Sequence, residues 1–150
     1  MKLAEALQER ADLNRKIDEL RGRLTSNALV QEGEKTAEDP AALLRELDKA
    51  IARLGELIAR INATNAATVD GGETITELIA RRDVLTVQVR VYRDVVSEAS
   101  QTARRAMRTE IKVLSAVDVP ALQKKADKLA QELRRTDNRI QELNWKTELL

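Results

Sequence analysis

The chain contains no cysteine and no histidine. The first absence excludes a disulfide framework, a thiol nucleophile and a thiolate metal site. The second removes the side chain that titrates near neutrality and most often moves protons. Phenylalanine is missing as well, with one tryptophan and one tyrosine present, so a core must be assembled from Leu, Ile, Val and Ala. Neither charge sign dominates: 26 basic residues stand against 25 acidic ones, a net charge of +1. That balance gives no global field to draw in nucleic acid or anionic lipid. Long apolar runs are absent too. The longest stretch free of Asp, Glu, Lys and Arg is Ile61 to Val69, nine residues, where a membrane-spanning helix needs about 20. The opening MKLAEALQERADL places Glu5 and Glu9 inside its apolar periodicity, so it does not read as a secretory signal. A cytoplasmic protein is expected.

What is abundant is helix-forming material. Charged residues make up 34% of 150 residues, and a profile rich in Ala, Glu, Lys, Leu and Arg is that of long helices and coiled coils. The length suits a single domain with a real core.

Apolar residues recur at heptad spacing along the first segment: Leu3, Ala6, Leu13, Ile17, Leu20 and Leu24, with Arg10 interrupting. A second seam runs Leu44, Leu47, Ile51, Leu54, Ile58, Ile61, Asn65 after Asp39-Pro40, a residue pair suited to cap and first helical position. The third opens after Gly71-Gly72 with Thr74-x-x-Glu77, a capping-box pattern. It continues through Ile75, Leu78, Arg82, Leu85, Val89, Tyr92 and Val96 to Ala99, Ala103 and Ala106. The fourth follows Asp118 and Pro120: Leu122, Ala126, Leu129, Leu133, Thr136, Ile140, Leu143. These patterns predict four helices over about 2–24, 40–67, 74–108 and 119–147. Val87-Gln88-Val89-Arg90-Val91 alternates like a strand, but the helical seam runs through it and decides for helix. Val84, Val87, Val91 and Val95 add a second apolar face to the third helix. A helix apolar on two sides is central or lies at a subunit contact, so a homo-oligomer is expected, with room for an unidentified protein partner.

The connections hold extended, β-prone runs at about 26–32 and 110–117, which two ordinary loops or a small two-stranded ribbon would explain. The expected fold is therefore mainly α, an antiparallel four-helix bundle resembling a coiled coil, with a ribbon at one end as an option.

In an up-and-down arrangement the polar exceptions gather at the end opposite those runs. They are Arg10, Asn14, Asn62, Asn65, Arg82, Asp83, Thr136, Asp137, Asn138, Gln141 and Asn144. Burying an amide without a partner costs roughly 1–3 kcal/mol and a charge more. The first reading is therefore a satisfied network that fixes how helices pair. The second is a pocket for a small anion or polar ligand, with Arg10 and Arg82 as its cations. Trp145 is expected to pack over that end and donate its indole N–H there.

Other chemistry is not supported. A carboxylate-bridged dimetal bundle would want Glu-x-x-His, and no phosphate-cradling loop is present, since Asp70-Gly71-Gly72 lacks the spacing. No serine or threonine stands beside a plausible base. No catalytic residue, metal site or cofactor is expected. Arg81 to Lys112 holds eight basic and four acidic residues, densest at Arg104, Arg105, Arg108 and Lys112. With only Tyr92 and Trp145 to stack on bases, a solvated face is favoured over RNA-backbone binding.

The ordered motifs QEGE (31–34), INATN (61–65), ARRD followed by Leu85, EIK (110–112) and IQELNW (140–145) span most of the chain. Together they resemble an uncharacterised bacterial family of small helical proteins, some of which carry the inherited name septicolysin. The resemblance implies a cytoplasmic helical bundle of unknown function and brings no catalytic or binding residues with it. The name itself implies a pore-forming cytolysin. The extended runs here are shorter than the roughly 9–11 residues of a membrane strand, which disfavours that label. The sequence is thus read as a non-enzymatic structural or interaction module.

Overall fold

In the computed structural model, which describes residues 1–102 and 111–150, the chain is mainly helical. Four long helices are present, α1 (Leu3–Ser26), α2 (Pro40–Ala67), α3 (Ile75–Ala99) and α4 (Val119–Lys146), with one two-stranded antiparallel hairpin, β1 (Val69–Asp70) and β2 (Glu73–Thr74). They are distributed over two compact units, one of residues 1–69 with 143–150 and one of residues 70–142.

In the first unit α1 and α2 pack side by side. Three ion pairs fix their direction. Glu9 meets Arg53, Lys16 meets Glu46 and Arg23 meets Glu38, at 2.6, 2.7 and 2.5 Å. As the α1 partner advances by seven residues, the α2 side retreats by seven or eight, which requires antiparallel helices. Asp39 starts α2 by accepting from the Ala41 amide at 3.0 Å, with Pro40 at the first helical position. The buried Asn27 closes the connection, its amide donating to the Arg23 carbonyl at 2.9 Å and its oxygen accepting from the Glu38 amide at 3.0 Å. Thr147 to Leu149 lies antiparallel to Met1 to Leu3: Leu3 donates to the Thr147 carbonyl and Leu149 to that of Met1, both at 2.9 Å. Thr64, fully buried on α2, accepts from the Leu150 amide at 3.0 Å and donates to the Arg60 carbonyl at 2.8 Å.

In the second unit Gly71 and Gly72 both adopt positive φ, +61° and +90°, the conformation that a tight two-residue hairpin turn demands. Thr74 then caps α3: its hydroxyl accepts from the Glu77 amide at 3.1 Å, and the Glu77 carboxylate accepts from the Thr74 amide at 2.7 Å. Arg139 on α4 clamps the turn, donating to the Asp70 carboxylate at 2.6 Å and to its carbonyl at 2.7 Å. A side chain at Gly71 would collide with that guanidinium. Lys125 of α4 sits 4.6 Å from the centre of the Tyr92 ring on α3. The core residues of this unit are Ile75, Leu78, Leu85, Val89, Ala126, Ala130 and Ile140.

The helical class with a small ribbon agrees with the sequence reading, and Val87 to Val91 is helical. Three expectations change. The ribbon forms at the glycine turn, whereas the described parts of 26–32 and 110–117 contain no strand. Helix α3 ends at Ala99 instead of near 108; Ala103 and Ala106 lie outside the described residues. On α2 the buried row is Leu43, Ala50, Leu57, Ile61 and Thr64, while Leu44, Ile51 and Ile58 are 49%, 48% and 40% exposed. The helix is rotated by a fraction of a turn from its predicted seam, so that the row one residue earlier, with Ala50 in place of Ile51, faces inward.

Four carboxylates of the first unit, three of them in these pairs, are shifted by their cationic partners. Arg53 holds Glu9, Arg23 holds Glu38, Lys16 holds Glu46 and Lys2 holds Glu148 below the ordinary carboxylate value, each through a direct hydrogen bond. Lowered folded values stabilise the fold above the unfolded value of 4.5 and lose that contribution as pH falls through the folded one. Thermal melts are therefore expected to be level from pH 7 to 5 and to fall steeply below about 4.5, and Glu9→Gln with Glu38→Gln and Glu46→Gln should flatten that acid limb. The pairs are largely solvent-exposed, so half-molar salt should shrink the effect.

Candidate functional site

The polar residues singled out by the sequence do not form a buried network. In the first unit Asn14 and Asn62 are exposed, Arg10 and Asn65 are half-buried, and only Asn144 is buried. In the second, Asp83, Asn138 and Gln141 are exposed, Arg82 and Asp137 are half-buried, and Thr136 is buried. Arg82 donates twice to its own neighbour Asp83, at 3.1 and 2.9 Å. That pairing neutralises the cation proposed for a ligand. Amides exposed in this way do not form a buried lock between helices. Trp145 is also not packed down; it is 64% exposed. The groups that do hold partners across the fold were not singled out in advance: the ladder of Glu9, Lys16 and Arg23, the Asn27 bridge, Thr64, and the Asp70–Arg139 clamp.

The second unit has several concave features, two of which involve α3. Arg81, Leu85, Glu132, Arg135 and Thr136 line a cavity of about 430 Å³ between α3 and α4, open to solvent and mostly polar. Arg81 is already bonded to Glu73, so Arg135 supplies its free positive charge. A second, of about 300 Å³, lies where Val95 and Ala99 approach Val113 to Val117. Among the described residues no group of three or more His, Cys, Asp or Glu is placed to hold a metal ion, and no helix is long and apolar enough to cross a membrane. Of the basic run proposed for RNA, Arg104, Arg105 and Arg108 lie outside the described residues, and Lys112 is exposed.

Exposed apolar surface is the more distinctive property. On α3, Val84, Val87, Val91 and Val95 are 58%, 49%, 49% and 40% exposed. Their steps of three, four and four residues put them in one stripe along the helix. On α2 the row Leu44, Ile51, Ile58 stands in water at seven-residue intervals. Isolated exposed aliphatics are ordinary, but rows at helical spacing mark interaction surfaces.

A family model described as a family of unknown function, DUF6847, matches residues 10–149. The chain belongs to that family. A DUF6847 assignment carries no activity with it. The crystal structure of a functionally unknown conserved protein from Corynebacterium diphtheriae is similar over the whole length. It shares 39% identity and a TM-score of 0.91, covering 100% of this chain and 99% of the other. No curated protein matches the sequence.

Proposed function

We propose that this DUF6847 member is a non-enzymatic helical module of the cytoplasm that self-associates through the valine stripe of α3. The observation that carries the reading is the exposure of Val84, Val87, Val91 and Val95 in one line. A second copy matches it. Laid antiparallel about a two-fold axis near residue 89, Val84 opposes Val95 and Val87 opposes Val91, so the patch is its own complement. Branched valines lose little side-chain freedom when packed. Arg82 and Asp83 neutralise one another at one end and leave no isolated charge to desolvate there.

The small-ligand alternative rests on the cavity beside Arg135 rather than on Arg10 and Arg82. The RNA-binding and cytolysin alternatives draw no support from the described surface.

Sedimentation tests the main reading. The protein should be dimeric or larger at tens of micromolar, and Val87→Asp with Val91→Asp should weaken that association at least about 100-fold without loss of helicity, since each carboxylate would have to be desolvated. A wild-type monomer at those concentrations would end the proposal.

A further inference from the structure

The outer face of α2 is also unexplained by the fold around it. Ten residues between Ile51 and Ala67 are exposed, and Glu56 alone among them is charged. The chain average of 34% charged residues would place about three there. Glu56 is moreover engaged by Arg53 and Arg60 on its own helix, at 3.0 and 3.6 Å. Gly55 lies in the middle of this face. No atom lies within 4 Å of where its side chain would stand, so nothing in the chain requires a glycine at a position where helices disfavour one.

The residue types around Gly55 mirror one another, with one isoleucine four residues before it and the other three after. Asp48, Ile51, Gly55, Ile58 and Asn62 follow at steps of three, four, three and four residues, and all five are exposed. Those steps keep them in a single stripe. We infer that α2 carries a second two-fold interface, in which the α2 of another copy crosses antiparallel at Gly55. About that axis each Ile51 packs on the partner's Ile58. Each Asp48 carboxylate accepts from the partner's Asn62 amide, a charge-assisted bond at both ends of the contact. Neither Asp48 nor Asn62 has a hydrogen-bond partner among the described residues, so both are free to make it. The missing side chain at Gly55 lets the two backbones approach closely at the crossing.

The occupant is a second copy because the stripe complements itself in shape, in apolar content and in its Asp–Asn pairing. A stripe about 21 Å long offers less than the roughly 800 Å² per partner of a standard interface. The contact is thus a weak one, populated at high concentration or alongside the valine stripe of α3. Two different two-fold surfaces on one chain build closed tetramers or open arrays.

A cysteine-free chain makes the test direct. In full-length protein, Gly55→Cys should form a disulfide-linked dimer under mild oxidation at least tenfold faster than Lys49→Cys, an exposed position further round α2. Adding Ile58→Asp to Gly55→Cys should remove that cross-link while circular dichroism stays unchanged. Equal rates at positions 55 and 49, or a cross-link that survives Ile58→Asp in folded protein, would overturn the inference. Because the α3 reading is tested by Val87→Asp and Val91→Asp, either surface can fail without the other.

Discussion

Alanine in place of Leu57 is expected to lower the free energy of unfolding by about 2–5 kcal/mol, while alanine in place of its neighbour Ile58 should cost well under 1 kcal/mol. The two residues are adjacent on α2 and nearly equal in volume. Leu57 is 0% exposed and Ile58 40%. Removing three carbons from a close-packed site loses both their transfer free energy and their contacts, and leaves a cavity that neighbours fill only partly. At Ile58 the removed atoms face water in the isolated chain, so little is lost. Urea denaturation of both variants at low micromolar concentration is the measurement. Similar costs at 57 and 58 would mean that α2 is rotated from the orientation described. Repeating the Ile58 measurement at high concentration would add any contribution from self-association, by mass action.

The second large effect is expected at Thr64. Its hydroxyl is buried and receives the Leu150 amide at 3.0 Å. Thr64→Val keeps the shape but withdraws the acceptor, leaving a part-buried N–H without a partner at a cost of about 1–3 kcal/mol. Thr64→Ser retains the acceptor and loses one methyl, which should cost less. Amide exchange separates the two causes: the Leu150 amide should lose protection in the valine variant and keep it in the serine variant. Arg60, which donates to the Leu150 carbonyl at 2.5 Å, holds the same segment from one turn earlier on the helix. A valine variant as stable as wild type would show that this segment contributes nothing to the fold.

The starts of α2 and α3 were legible because their signals are local. Asp39-Pro40 and Thr74-x-x-Glu77 act within one turn, and both caps form as their residue types require. The rotation of α2 was not legible. Its sequence offers two interleaved rows, Leu43, Ala50, Leu57 and Leu44, Ile51, Ile58, each at seven-residue spacing. Periodicity cannot choose between them, and the row with the smaller Ala50 is the one inside. Asn65 was placed on the predicted seam for the same reason; it is half-buried, while Asn62, grouped with it, is exposed. The position of the ribbon escaped notice because strands of two residues have no period to detect. By contrast, the ladder of Glu9, Lys16 and Arg23 against Arg53, Glu46 and Glu38 was present in the spacing, and pairing the two helices antiparallel would have exposed it.

That ladder also acts as a vernier. The apolar rows repeat every seven residues, so they alone would tolerate α1 sliding along α2 by two turns. The charges do not. A slip one way sets Glu9 against Glu46; a slip the other way sets Lys16 against Arg53. Each misalignment meets a like-signed pair, so a coarse, repetitive hydrophobic ruler is read to a single setting by the order of signs along its edge.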